Sequence, residues 1–397
     1  VIVIGAGPIG SYTAYRLASQ GYRVGLFDKK KRAGTDVVCA GVISVQAFKR
    51  YELPYDAILT TINAFTFISP KNSRLEYSQE EPLAYTVDRQ VFDRSLFMNA
   101  RASGVETHMG EEHAVAGVQE STQSCSVMTG NKKTYRSRIV CIATGINYRL
   151  QSNLGFGKPA KILHGYQAEI PLAMPSRSTA YIHVGRDVAP GSFGWVFPIG
   201  PAKARAGVLV DQRSSKWMNN LLSRRINFEP LAEERLKFAA RSARPLKDGG
   251  RLRGGEVRSK HIAHGPIKKT ATRRIVVIGE AAGQVKTTTG GGVHFGLLCS
   301  EIAVDKIIKS LRDNSQSCVL DYETTWRSTL VSEIGIGMKL RKIAASINDA
   351  QLETLFTFAK KNKFWIQLLT PKINFDYHSN MLSFCLETFK YVLKIKK

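Results

Sequence analysis

The stretch from Val1 to Asp28 constrains this chain more than any other. Val1-Ile2-Val3-Ile4 is wholly apolar and β-branched, as suits a central parallel strand buried on both faces. It runs into Gly5-Ala6-Gly7-Pro8-Ile9-Gly10, and Ser11 to Gln20 then carries apolar residues at helical spacing until Gly21, which is placed to stop the helix. Arg23-Val24-Gly25-Leu26-Phe27 reads as a second strand closing on Asp28. Strand, GxGxxG, helix, strand and terminal acid are the dinucleotide fingerprint in full order. Gly5 permits the tight turn, Gly7 lets the backbone approach a pyrophosphate, and Gly10 lets helix and strand pack closely. The N–H groups at the helix start bind phosphate, and Asp28 would accept hydrogen bonds from a ribose. A GxGxxG alone is also what a ligand-free glycine-rich turn shows. The motif does not choose between FAD and NAD.

Two distant segments read as returns to the same sheet. Ile139-Val140-Cys141-Ile142 ends in Ala143-Thr144-Gly145, small residues that allow close approach of a ligand. Arg274 to Ile278 ends in Gly279-Glu280-Ala281-Ala282-Gly283, then a glycine-rich loop through Thr287-Thr288-Thr289-Gly290-Gly291-Gly292, with a helix expected over Val293 to Ile308. At 397 residues, 43% hydrophobic and 22% charged, the chain is long enough for two or three domains and is neither disordered nor fibrous in composition. No run approaches the ~18 uninterrupted apolar residues of a membrane span. The six cysteines form no CxxC pair and no zinc-type spacing, so no metal is expected. With no signal peptide in the chain, reduced thiols in a cytoplasmic compartment are the expectation.

A Rossmann start, an internal Ala-Thr-Gly, and a late strand leading into an acidic-Ala-Ala-Gly block and a Gly-rich helix start resemble the FAD-dependent oxidoreductases with a para-hydroxybenzoate-hydroxylase-like fold. The resemblance implies FAD, with the late acid, here Glu280 where Asp is usual, on the ribityl chain or pyrophosphate. It also implies that Arg89, in Arg89-Gln90-Val91-Phe92-Asp93, lies near the cofactor. Read from its residues alone, this segment is equally a helix start capped by Asp88. Within that group the chain is most similar to the geranylgeranyl reductases. Their (Y/F)xWxFP motif stands as Phe193-Gly194-Trp195-Val196-Phe197-Pro198, followed at the family's spacing by Gly207-Val208-Leu209, with Leu209 replacing the second glycine of GxG. Thr287 stands where proline is usual, and Cys39-Ala40-Gly41 is similar to the branch's early Cys-Gly element. The matches span most of residues 1–310.

The resemblance implies an α/β fold: a Rossmann-like FAD-binding domain (1–50, 85–145 and 265–310) interleaved with a mixed-sheet substrate domain (51–84 and 146–264), and a helical C-terminal segment (311–397). FAD is expected on Gly5, Gly7, Gly10, Asp28, Arg89, Gly279, Glu280, Gly290, Gly291 and Gly292. Phe193, Trp195 and Phe197 are expected to line a long apolar pocket for a prenyl chain, although an alternating aromatic strand is also what an ordinary core shows. The helix start after the glycine loop would aim N–H groups and a positive dipole end at the flavin and favour its reduced state. The expected reaction is reduction of an isolated C=C in a prenyl chain on a lipid, quinone or prenyl diphosphate. Cys39 is the first candidate to deliver the proton, since a free thiol, with a pKa of ~8.5, is protonated at neutral pH. His294 is a rival at the helix start, and either residue could equally be inert packing. Gly155-Phe156-Gly157-Lys158-Pro159-Ala160 mimics a second fingerprint but has no strand before it, so NAD(P)H or ferredoxin as electron donor would dock without a domain of its own.

Fifty-seven Lys and Arg against 32 Asp and Glu give a net charge of +25, which calls for an anionic partner. Met381 to Lys397 reads as a basic amphipathic helix, either lying on an anionic membrane or docked on the body of the protein. A peripheral position on the inner face of the membrane suits a prenylated lipid or quinone substrate. Scattered charge without a helix-turn-helix, zinc finger or RNP-like signature argues against nucleic acid. On the same scaffold the alternatives are a flavin monooxygenase hydroxylating an aromatic ring, a membrane-peripheral flavoprotein passing electrons to quinone, and a flavin-binding protein without turnover.

Overall fold

A computed structural model describes residues 1–212, 214–224, 251–252, 255–315, 317–362 and 374–379. The N-terminal strand Ile2–Ile4 lies at the centre of a five-stranded parallel sheet. Val140–Ile142 and then Ile275–Val277 lie on one side of it; Gly25–Asp28 and then Glu106–Met109 lie on the other. The two segments read as returns to the first strand are therefore its immediate and next neighbours.

Side-chain alternation assigns the two faces of this sheet. Val3, Leu26, Cys141 and Val276 pack beneath a helical layer, whereas Ile2, Ile4, Phe27, Val140, Ile142, Ile275 and Val277 pack with Val118, Cys125 and Val127. The latter three belong to an antiparallel three-stranded meander, Val115–Glu120, Cys125–Thr129 and Thr134–Ser137. The helical layer comprises Pro8–Ala18, Arg89–Ala102, Val293–Asp313 and Ser317–Ser346. The last of these was not legible beyond "helical". It buries Val319, Tyr322, Trp326, Leu330 and Ile334, three or four residues apart, as one apolar stripe. Trp326 also donates its indole N–H to Thr270 at 2.8 Å. Truncating so large a buried side chain costs ~3–5 kcal/mol.

A second, seven-stranded sheet runs Arg258–Ala263, Ile162–Pro171, Lys203–Val210, Phe193–Gly200, Thr179–His183, Ala64–Ile68, Arg74–Ser78. All its pairings are antiparallel except that of Thr179–His183 with Ala64–Ile68. One face packs Val196, Ala204, Ala206 and Val208 against Trp217, Met218, Leu221 and Leu222 of the helix Lys216–Ser223. The other presents Trp195, Phe197 and Leu209. The aromatic strand continues past Pro198 to Gly200 across a register shift between those two residues. Such an irregularity is where a strand accommodates proline.

The predicted helix over Ser11 to Gln20 forms as Pro8–Ala18, because Pro8 already suits a first helical turn. No helix among the described residues is long and apolar enough to cross a membrane. The segment from Met381 onward lies outside the described residues.

Candidate active site

A cleft of about 600 Å³ opens above the carboxyl end of the parallel sheet. Gly5 to Ile9, Asp28, Thr144, Arg89, Cys39, Glu280, Gly290 and Gly292 all contribute to its walls. The structure therefore brings together most of the residues expected to bind the dinucleotide. Gly279 adjoins the cleft at positive φ, and a Cβ there would lie 3.2 Å from the Ile9 side chain.

The glycines of the first turn do different work. Gly5 has φ +109°, and a Cβ there would lie 2.4 Å from the carbonyl oxygen of Ala143. A Cβ on Gly10 would come within 1.8 Å of the Gly5 oxygen, so this glycine serves the close approach of helix to turn. At Gly7 a Cβ would meet nothing within 4 Å. The space left there belongs to the cleft, and such a cradle at a helix N-terminus fits the pyrophosphate of FAD. The helix Val293–Asp313 also starts on the cleft, from Gly292 as its cap, so two positive helix ends converge there. Asp28 lies at the strand end as expected. One of its carboxylate oxygens accepts the Ala6 N–H at 2.7 Å and the other the Lys30 N–H at 2.8 Å, bracing the turn from below.

The Arg89 segment is a capped helix start whose first residue faces the cleft. Asp88 caps the helix through the N–H groups of Gln90 and Val91, while Arg89 itself lines the cleft. Its guanidinium is held in a two-pronged pair by Asp93 at 2.9 and 3.1 Å. Glu280 is paired with Lys260, at 2.7 Å, from the edge strand of the seven-stranded sheet. The longer carboxylate thus reaches across from one sheet to the other.

Cys39 sits half-buried in the cleft wall. Burial pushes its thiol up, but Arg89, Lys260, the Gly41 N–H at 3.4 Å and Arg205 together bring it below the ordinary thiol range. Its turn is fixed from the other sheet: Arg205 donates to the carbonyls of Ala40 at 2.9 Å and Val87 at 3.2 Å, and to Glu169 at 2.8 Å. Lys260 and Arg205 were both missed from the sequence. Arg205 left a signal, as a charged side chain in the otherwise apolar run Ala204 to Val210, where it is 5% exposed.

The aromatic motif has a direct steric cause. Trp195 pairs with Gly207, Phe197 with Arg205 and Phe193 with Leu209 across neighbouring strands. A Cβ on Gly207 would lie 2.3 Å from the Trp195 ring, so the indole lies flat on a residue without a side chain. Leu209 fills the place opposite Phe193, and a Cβ on Gly290 would touch it at 3.7 Å. The three aromatics share an apolar cluster with Ile62, Ala84, Leu163 and Ala180, and the Trp195 indole N–H is buried without a partner.

His294 stands behind the glycine loop rather than in the cleft wall. Burial lowers its pKa, and its ring lies 3.8 Å from Asp376 and 3.4 Å from the Tyr377 hydroxyl.

Residues 1–80 match a family model described as FAD dependent oxidoreductase. The chain is 27% identical to the digeranylgeranylglycerophospholipid reductase of Methanocaldococcus jannaschii over 365 residues, 89% of each chain. Among solved structures, a geranylgeranyl bacteriochlorophyll reductase-like protein from Thermoplasma acidophilum superposes with a TM-score of 0.76 at 18% identity, covering 90% of each chain. A probable FAD-dependent monooxygenase from Pseudomonas aeruginosa shares the fold with a TM-score of 0.66 at 14% identity, covering 90% of this chain and 98% of its own. Over most of its length the chain is thus similar in sequence to a digeranylgeranylglycerophospholipid reductase and in fold to a geranylgeranyl reductase-like protein, and its first 80 residues match the FAD dependent oxidoreductase model.

Proposed function

We propose that this enzyme reduces C=C bonds in the prenyl chain of a geranylgeranyl-type lipid, with a prenylated quinone or prenyl diphosphate as further substrates. The observation that carries the reading is the apolar face of Phe193, Trp195 and Phe197, joined by Leu209 to the glycine loop at the cleft. Gly5, Gly7 and Gly10 with the first helix would hold the pyrophosphate, and Asp28 and Arg89 would lie along the nucleotide. Gly279, Glu280 and the loop Gly290 to Gly292 would flank the flavin half. FAD held there would supply hydride chemistry for one carbon of the double bond, with NAD(P)H or ferredoxin as the source of its electrons.

Cys39 supplies the proton for the other carbon, so that the π bond is replaced by two C–H bonds. A thiol whose pKa is lowered by neighbouring cations is a stronger acid than a free one. Arg89 and Lys260 stabilise the thiolate it leaves, which must regain a proton before the next turnover. The aromatic face excludes water and aligns a flexible chain that offers no polar handle. The excess of basic charge supports docking on an anionic membrane surface, where such substrates reside.

The test is anaerobic. The FAD-loaded protein, bleached with dithionite, is mixed with geranylgeranyl lipid or menaquinone in detergent. Reoxidation with a mass gain of two hydrogens per bond is the expected result. Reoxidation by menaquinone that yields only quinol supports the electron carrier instead. A flavin that stays bleached until O2 is admitted supports the monooxygenase, a fold the Pseudomonas structure shares.

A further inference from the structure

We propose that Phe375, delivered by the segment Asn374 to Ser379, is a specificity-determining residue that limits how much chain the apolar face can accept. The inference rests on the reading of that face as an isoprenoid site. Phe375 packs against the same cluster as Trp195 and Phe197, although it lies far along the chain from both. Its ring is 6.5 Å from that of Phe65, at 30°, and 4.6 Å from the ammonium of Lys286 in the glycine loop. Phe375 therefore stands where the apolar face meets that loop.

The segment is pinned by contacts that have no bearing on apolar packing. Asp376, 2% exposed, accepts a hydrogen bond from Lys286 at 3.0 Å and another from the Ser44 hydroxyl. Lys286 also donates to the Phe375 carbonyl at 3.1 Å. Glu333, from the long helix, accepts the N–H groups of His378 and Ser379, and the His378 ring meets the Thr288 hydroxyl at 2.6 Å. A buried ion pair yields little net stability compared with apolar residues of the same size, so its consequence here is geometric. It fixes one aromatic ring against the apolar cluster in one place.

The experiment measures binding, not turnover. Dissociation constants of geraniol, farnesol and geranylgeraniol, which differ by one isoprene unit each, are determined by calorimetry on the FAD-loaded protein. Phe375→Ala is expected to raise affinity for geranylgeraniol relative to geraniol on the order of tenfold, the scale on which an apolar pocket discriminates. Phe375→Trp is expected to shift the ranking toward geraniol. Asp376→Asn, which leaves the ring intact but loosens its anchor, is expected to move it the same way as Ala and by less. Phe375→Leu gives the same comparison should the alanine variant fail to fold. An unchanged ranking in every variant that binds overturns this inference and leaves the isoprenoid reading standing. If the unmodified protein binds none of the three alcohols, both fall.

Discussion

The glycine-lined cleft and the apolar face lie side by side, yet they are made from different material. The glycine-rich part of the cleft is made of backbone, a turn at positive φ, two helix starts, and glycines whose missing side chains leave room either for the protein or for a ligand, with Asp28, Arg89, Cys39 and Glu280 completing the walls. The apolar face is made of side chains, brought from strands of the seven-stranded sheet and from the segment near Phe375. A site of the first kind tolerates almost no substitution and is written in consecutive letters. One of the second kind can be retuned residue by residue, and its members need not be near each other in the chain.

Glycine substitutions give the largest effects and test the distinction within one turn. Gly10→Val drives a side chain into the Gly5 carbonyl and is expected to cost ~3 kcal/mol or more, with loss of both fold and colour. Gly7→Val has no protein atom to meet, so the apoprotein should fold with a normal circular dichroism spectrum and fail to turn yellow. Yellow Gly7→Val protein would show that the open space at this residue is not where the cofactor lies.

On the apolar side, Gly207→Val should displace the Trp195 indole, at an overpacking cost of ~1–3 kcal/mol, while FAD remains bound. Turnover of long prenyl substrates should fall more than that of short ones. Equal losses for both lengths would mean that the indole is structural and does not line the substrate.

The third and smallest effect concerns the place where the two regions touch. Lys260→Met removes one of the charges that draw the Cys39 thiol down. Alkylation by iodoacetamide requires the thiolate, so in the unmodified protein its rate should half-saturate at a pH below that of a free thiol. In the variant that midpoint should rise. A midpoint that does not move would leave Arg89 and Arg205 as the charges that matter.

This difference in construction also explains what could be read from the sequence. The order from Val1 to Asp28, the Ala-Thr-Gly strand and the Glu280 block each announce themselves locally, because backbone sites need fixed residues at fixed spacing. The interval from Trp195 to Gly207 was equally readable, since two paired strands convert sequence distance into a face-to-face contact. Lys260, Lys286, Asp376 and Phe375 were not readable. Each is an ordinary residue made consequential by a partner from another part of the chain: Lys260 with Glu280, Lys286 with Asp376, Phe375 with Phe65. Neither propensity nor periodicity reports such encounters.

The position of Ile2–Ile4 at the centre of its sheet has a consequence for how this protein is made. One neighbour is residues 25–28, but the other is residues 140–142, which are in turn completed only by residues 275–277. A ribosome adds ~5–20 residues each second, so the fingerprint strand waits many seconds with an apolar edge unpaired. Until those returns are made the strand keeps an open apolar edge, and a cell that overproduces the chain should meet a chaperone requirement set by this strand.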